Sequence, residues 1–145
     1  MSTIMRKMIM VERCERMYRA QKLNYDLPGF YHSYILAVCK NPGMSQEKLA
    51  RYLCFNKSSV TRHLSNLEKN GYVERKTSPK DKRELLVFPT GKMEEIYPEV
   101  LEVTKQWDEL IAKSVTDDEM NIFHQILDKI AERSSKIVYS EETQE

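Results

Sequence analysis

Residues 41–90 read NPGMSQEKLARYLCFNKSSVTRHLSNLEKNGYVERKTSPKDKRELLVFPT, and this stretch decides the fold. Ser45 and Asn56 are good helix N-caps, and the residue before each of them is apolar and can pack on the first turn as a hydrophobic staple. We therefore predict one helix that begins at Ser45 and ends near Cys54, and a second helix that begins at Lys57. Two caps so close together leave room only for a tight turn.

The second predicted helix has one apolar and one polar face. Val60, Leu64 and Leu67 recur at helical spacing and form a stripe that can pack on the first helix, and Gly71 is suited to end the helix. The opposite face and its flanks carry Ser58, Ser59, Thr61, Arg62, His63, Ser65 and Asn66. Arginine can bond guanine through two donors, asparagine can do the same with adenine, and hydroxyls can bond bases or phosphates. Any solvated helix face is also polar, so this face does not decide the function by itself.

A basic hairpin is predicted directly after this helix. Residues 72–76 and 84–88 are rich in the β-branched and aromatic residues of strands, and turn formers and charges connect them. The basic residues of the connection are Lys80, Lys82 and Arg83. They lie where a wing would meet phosphates or enter the minor groove, and Asp81 is placed to hold the guanidinium of Arg83 in a fixed orientation. A hairpin kept soluble by a charged tip remains the alternative.

Two helices joined by a tight turn and followed by a basic hairpin are the layout of a winged helix-turn-helix, which reads duplex DNA. We predict a mainly α protein with a small β-hairpin (α+β), built as a single domain over residues 1–145. Residues 30–90 would form the DNA-binding lobe. Dimerisation helices would flank it within residues 1–25 and 91–140.

Long apolar stripes suggest those flanking helices. After the N-cap candidates Thr90 and Thr116, apolar residues recur at spacings of three and four. They are Met93, Ile96, Val100, Val103, Trp107 and Leu110, then Met120, Phe123, Leu127 and Ile130. Pro98 is expected to interrupt or bend the first run. A helix of about 20 residues is about 30 Å long, so its apolar stripe extends beyond what a small winged lobe can cover. We therefore expect a second subunit to cover the rest of the stripe.

The N-terminal segment has a similar pattern. Ile4, Met8 and Val11 share one edge of a predicted helix with Tyr18, and its methionines favour adaptable packing. Leu27, Pro28 and Gly29 are expected to break the chain before another apolar helix over residues 30–40. Structural packing is the main role that this region suggests.

The net charge of +1 hides a strong asymmetry along the chain. Residues 1–40 carry seven basic and three acidic side chains, residues 41–90 carry ten and five, and residues 91–145 carry six and fourteen. A basic central part suits contact with phosphates, and an acidic region placed away from them keeps the protein soluble. No apolar run approaches the roughly 20 residues of a membrane span, and no secretory signal is evident. We expect a cytoplasmic protein without a membrane partner.

Catalysis and metal binding find little support. There is no Gly-rich phosphate loop, no nucleophile elbow and no metal-ligand cluster, so we expect neither an enzyme nor a cofactor or metal site. Cys14, Cys39 and Cys54 lack paired spacing and a secretory context, so they should be reduced. The remaining alternative is a winged-helix module that binds another protein without reading DNA. Only a DNA reader should show salt-dependent binding to duplex DNA.

Two runs carry a resemblance to a known family. They are SVTRHLSNLEKNGYVER, residues 59–75, and SPKDKRELLVFPTGK, residues 78–92, and they are similar to the MarR family of bacterial regulators. The Asp-Lys-Arg wing that follows a Leu-Glu-Lys-x-Gly helix end is the more specific part. The central part resembles the family by motif, and the whole chain resembles it by the order of its elements.

The resemblance implies a homodimeric transcription regulator that acts as a repressor. Its recognition helices would enter successive major grooves of a palindromic operator. The wings would touch the flanking minor grooves, and a small molecule or an oxidant would release the DNA. Some relatives sense oxidants through a cysteine near the N-terminal helix, which makes Cys14 the candidate redox sensor. Arg13 and Arg16 nearby favour the thiolate. A buried small residue is the ordinary role of a free cysteine.

Overall fold

A computed structural model describes residues 2–24, 28–29 and 31–139. The elements are α1 Thr3–Lys22, α2 Tyr31–Lys40, β1 Met44–Ser45, α3 Gln46–Leu53, α4 Lys57–Lys69, β2 Val73–Thr77, β3 Leu85–Pro89, α5 Gly91–Ala112 and α6 Asp117–Tyr139. The prediction of a mainly α protein with a small amount of β structure is confirmed. Leu27 and Phe30, predicted to break the chain and to begin a helix, lie outside the described residues.

The chain divides into two compact units, Met1–Lys105 and Gln106–Glu145. The first unit has a closed core, to which α2, α3, α4, the sheet and the first half of α5 all contribute. Its fully buried large side chains are Tyr31, Tyr34, Ile35, Val38, Leu49, Val60, Leu64, Leu67, Val73, Val87, Met93 and Val100. The apolar stripe predicted for α4 is therefore part of this core.

Both predicted N-caps of the helix-turn-helix are confirmed. The Ser45 hydroxyl accepts a hydrogen bond from the Lys48 N–H at 3.2 Å, and the Asn56 amide oxygen accepts one from the Ser59 N–H at 2.7 Å. Between the helices, Cys54 takes the left-handed conformation with a φ of 55° and ends α3. These caps satisfy backbone donors that a helix otherwise leaves unpaired, so both helices begin where the sequence predicts.

The sheet has three strands in the order β1-β3-β2, all antiparallel. Both long strands are shifted by one residue from the predicted hairpin, and β1 adds a strand that the sequence did not predict. Two residues are too few to show the alternation that identifies a strand. Gly43, with a φ of +84°, donates its N–H to the Val87 carbonyl at 2.8 Å and leads into β1. A Cβ at Gly43 would lie 3.1 Å from the Phe88 ring, so glycine fits this close turn.

A polar cluster lies beside the core between α1, α2 and α5. Arg19 is buried, and its guanidinium bonds the Glu15 carboxylate at 2.6 Å and the Gly29 carbonyl at 2.9 Å. The His32 Nε2 lies 3.0 Å from the Thr104 hydroxyl. Burial, and secondarily the charge of Arg19, lower the pKa of His32 to about 4. This histidine is therefore neutral near pH 7.

The two C-terminal helices begin at the predicted caps. The Thr90 hydroxyl accepts from the Met93 N–H at 3.4 Å. The Thr116 hydroxyl accepts from the Glu119 N–H at 3.1 Å and donates to the Glu119 carboxylate at 3.2 Å. Helix α5 continues through Pro98. No residue of α6 is buried within the described chain. Of the stripe that the sequence predicts, Phe123 and Ile130 are exposed and Met120 and Leu127 are half-buried.

Candidate nucleic-acid interface

The N-terminal turn of α4 presents a fixed set of hydroxyl groups. The Asn56 amide oxygen, which caps the helix, also accepts a bond from the Ser58 hydroxyl at 2.9 Å. Ser58 is exposed and Ser59 is half-buried. The backbone N–H groups at the start of this helix add to its preference for anions. This turn is therefore suited to a phosphate or a base edge.

Arg62 and Asn66 lie one turn apart on the polar face of α4, and both are exposed. Within the described residues, the Arg62 guanidinium makes no hydrogen bond or salt bridge of its own. The Asn66 amide oxygen accepts a bond from the Asn70 amide at 2.8 Å, which holds its orientation. The Arg62 guanidinium is suited to a bidentate bond with guanine. The Asn66 amide, which also bonds Tyr31, would have to exchange a partner to bond adenine in the same way.

Lys57 and Thr61 are partly engaged with α3. The Thr61 hydroxyl donates to the Lys57 carbonyl at 2.9 Å and accepts from the Gln46 amide at 2.9 Å. The Lys57 ammonium lies 3.1 Å from the Glu47 carboxylate, and both side chains are largely exposed. An exposed ion pair contributes little, so Lys57 can exchange its partner for a phosphate at low cost.

His63 packs against the lobe rather than projecting as a plain flank residue. Its Nδ1 lies 2.8 Å from the Tyr34 hydroxyl, and its ring meets those of Tyr31 and Phe55 edge-on at 5.9 and 5.6 Å. Burial, followed by the charge of Arg62, lowers the pKa of His63, and burial raises the pKa of Tyr34. His63 thus has a packing role, and its contact with DNA stays a prediction.

The wing tip is arranged around Asp81. One oxygen of its carboxylate accepts from the Arg83 N–H at 3.0 Å and lies 3.4 Å from the Arg83 Nε. The Arg83 side chain is 92% exposed. The backbone bond is the better of the two, so Asp81 holds the turn and, more weakly, the guanidinium. Lys80 and Lys82 are exposed on either side.

Sequence reasoning did not identify a second set of residues behind the polar face. Arg75 in β2 bonds Glu68 and Ser65 of α4 and Gln46 of α3. The only sign of this in the sequence was the charge of Arg75 at an inward-facing position of a short predicted strand. Its partners come from other elements, so spacing along the chain could not reveal them.

The described residues contain no group of three or more side chains suited to hold a metal ion. In the part of the chain that the structure describes, no helix is long and apolar enough to cross a membrane. Cys14 is exposed, and the neighbouring Arg16 is paired with Glu12. Burial, aided by the charge of Glu94, raises the pKa of Cys39 to about 11, so this thiol stays protonated.

Comparison with known proteins gives consistent results. The family model described as MarR family matches residues 35–85. The HTH-type transcriptional regulator BilQ of Clostridioides difficile is 29% identical over 106 residues, which cover 73% of this chain and 69% of BilQ. The uncharacterized HTH-type transcriptional regulator YwoH of Bacillus subtilis is 34% identical over 111 residues, covering 72% of this chain and 80% of YwoH. The chain belongs to the MarR family.

A solved structure supports the same assignment. A putative MarR family transcriptional regulator from Listeria monocytogenes, complexed with 26mer DNA, has a TM-score of 0.85 and 27% identity, covering 94% of this chain and 91% of that one. As a MarR-family protein, the chain is a winged helix-turn-helix regulator of transcription that belongs to a DNA-binding class. Its relatives are regulators, which are not enzymes.

Proposed function

We propose that this MarR-family protein is a homodimeric repressor that binds a palindromic operator in duplex DNA. The observation that carries the proposal is the exposed Arg62 on the polar face of α4, in the same unit as the exposed Arg83 of the wing. A helix enters the major groove, and a basic hairpin can reach the neighbouring minor groove. A protein-binding module would not need these two basic elements.

The contacts divide by chemical role. Arg62 and Asn66 would read base edges, with Ser58, Ser59, Thr61 and His63 around them. Lys57, Lys80 and Lys82 would contact phosphates, because a mobile ammonium is a point charge without a directional fork. Arg83, held at the wing tip by Asp81, would enter the minor groove.

The second subunit is proposed from the apolar side chains that the chain leaves exposed. On α6 these are Ile122, Phe123, Ile126, Ile130, Ile137 and Val138, each about half exposed or more. On α1 they are Ile4, Met5, Met8, Met10, Val11 and Met17. Exposed large apolar side chains in this number favour an interaction site, and a second copy of the chain is the partner that the family suggests.

Release by a signal completes the proposal. A small molecule or an oxidant would lower the affinity for the operator, and Cys14 is the candidate for the oxidant because it is exposed on α1. The protein would act in the cytoplasm, where thiols are kept reduced.

Selection of duplexes from a random pool with the purified protein tests the function directly. We expect enrichment of a palindromic sequence and protection of two half-sites about one helical turn apart. The logarithm of affinity should fall linearly with the logarithm of salt concentration. Replacing Lys82 by alanine should reduce that slope by about one unit while leaving the preference among sequences unchanged. Absence of salt-dependent duplex binding would favour the protein-binding alternative.

A further inference from the structure

Arg75 lies on the inward face of the wing. It stands opposite Val87 in the pairing of β2 with β3, and Val87 is fully buried. Directly opposite residues of an antiparallel pair share a face of the sheet. The Arg75 side chain is only 15% exposed. A charge at such a position costs free energy unless it is paired, so its partners decide what it does.

Those partners come from two other elements of the helix-turn-helix. The Arg75 Nη2 donates to Glu68 Oε1 at 3.2 Å and to the Ser65 hydroxyl at 3.1 Å, both on α4. The Nη1 donates to Gln46 Oε1, at the start of α3, at 3.4 Å. One guanidinium thus joins the recognition helix, the preceding helix and the wing.

The backbone strengthens the same junction. The Arg75 N–H donates to Glu68 Oε2 at 3.0 Å. Because β2 is an outer strand of the sheet, this N–H lies on the edge that faces away from β3. The Glu68 carboxylate therefore bonds both the backbone and the side chain of Arg75. A fork of donors that meets two carboxylate oxygens fixes geometry as well as distance.

The junction keeps its charges at neutral pH. The hydrogen bond from the Arg75 side chain is the main cause that lowers the pKa of Glu68. The carboxylate is consequently ionised and compensates the guanidinium. Arg75 is a different kind of cation from Arg83, which is almost fully exposed at the wing tip.

We propose that Arg75 is a positioning residue that fixes the angle between the recognition helix and the wing, so that both grooves of the DNA are engaged at once. The proposal rests on the DNA-binding function above. When two contacts are held in register, the second forms at a high effective concentration. Loosening the junction should therefore weaken binding to the preferred duplex more than binding to random duplex.

Two carboxylate variants separate positioning from simple charge. Glu68→Gln keeps the shape but removes the charge that holds Arg75. Glu74→Gln removes an exposed carboxylate from β2, at the position directly before Arg75. Simple electrostatics predicts that both changes tighten binding to a polyanion. We expect Glu68→Gln to weaken binding to the selected duplex by about fivefold or more, and Glu74→Gln to leave it unchanged or slightly tighter.

Two arginine variants identify the kind of contact that Arg75 makes. Arg75→Met should lose the preference for the selected duplex over a scrambled one. Arg75→Lys keeps the charge but loses the fork of donors, so it should lose this preference as well. The salt slope should stay unchanged in both, because the guanidinium is engaged inside the protein. Footprints should lose the minor-groove protection of the wing before the major-groove protection of α4. Ser65→Ala, a mild change, should lower the preference less but in the same direction.

Thermal unfolding of each variant confirms that it is folded before binding is compared. If the unaltered protein selects no duplex, the DNA-binding proposal fails and this one fails with it. If the unaltered protein binds selectively, two results overturn the positioning role alone. One is equal or tighter binding by Glu68→Gln than by Glu74→Gln, and the other is a salt slope reduced by about one unit in Arg75→Met, which would make Arg75 a phosphate contact.

Discussion

The winged lobe and helix α6 use apolar residues in opposite ways. From α2 to β3, the apolar stripes meet one another, and Tyr34, Ile35, Leu49, Val60 and Leu64 have no exposed surface. In α6, Phe123 and Ile126 are exposed to 53% and 50%, and the described chain buries no residue of that helix. The same helical periodicity thus closes a core in one region and leaves a surface in the other. Periodicity predicts an apolar face, and it does not show what covers that face.

The largest effect is expected where this contrast is sharpest. Phe123→Asp places a charge in the exposed apolar face of α6 and should prevent the proposed dimer from forming. Sedimentation should then give about 17 kDa in place of about 34 kDa, twice the chain mass of 17.2 kDa. Affinity for the palindromic duplex should fall by about 100-fold, because two half-sites are no longer linked. Gln125→Glu adds a charge to the same helix and should leave a dimer. If the unaltered protein is a monomer at micromolar concentration, the proposal that a second copy covers this face of α6 is wrong.

A smaller effect is expected on the polar side of the lobe. Arg62→Ala should cost about 1 to 3 kcal/mol on the selected duplex and less on random DNA, because it removes a bidentate base contact. Isotherms on both duplexes at one salt concentration measure it. Lys69→Ala, at the far end of α4, is the control and should affect both duplexes alike. Equal losses on both for Arg62→Ala would show that Arg62 contacts phosphate.

The stability of the winged lobe should also depend on pH through His32. Since His32 has a folded-state pKa of about 4 against an ordinary value of about 6.5, the unfolded chain binds the extra proton between these values. The free energy of unfolding should therefore fall as pH decreases, by about 1.4 kcal/mol per pH unit from this group. Urea unfolding at pH 7, 6 and 5 measures it, and His32→Gln should flatten the profile. An equally steep profile in the variant would assign the effect to other groups.

The smallest effect is expected at the wing tip. Asp81→Ala should weaken operator binding a few-fold even though it removes a negative charge, because the turn that carries Arg83 loses its acceptor. The double variant with Arg83→Ala should be little worse than Arg83→Ala alone, since residues that act as one unit are not additive. Glu84→Gln removes a neighbouring exposed charge and serves as the control. Tighter binding by Asp81→Ala would show that the acid is only a tolerated surface charge.

Local signals explain which features could be predicted from the sequence. Ser45 and Asn56 act on backbone donors three residues away, so their caps are written into a few consecutive residues. Gly71, with a φ of +80°, ends the recognition helix for the same local reason. The polar face of α4 and the basic wing also follow from composition and periodicity alone.

Features that depend on distant residues could not be predicted. The contact of His63 with Tyr34 joins α4 to α2, and α2 offers no pattern that points to a hydroxyl at that place. Arg75 looks like another wing cation in the sequence, yet it is engaged inside the lobe by Glu68. Strand β1 exists because Met44 meets Val87 across the sheet. Each of these depends on tertiary packing.

The two-residue strand β1 has a consequence for how the lobe folds. Its pairing with β3 closes a loop that contains the whole of α3, α4 and β2, and β2 pairs with the other side of β3. Closing a long loop costs entropy before its contacts reward it. The two helices are therefore tied at both ends to one strand, and they should open to hydrogen exchange together with the sheet as a single cooperative unit. The polar face of α4, which is proposed to contact DNA, should therefore be lost only when the sheet itself opens.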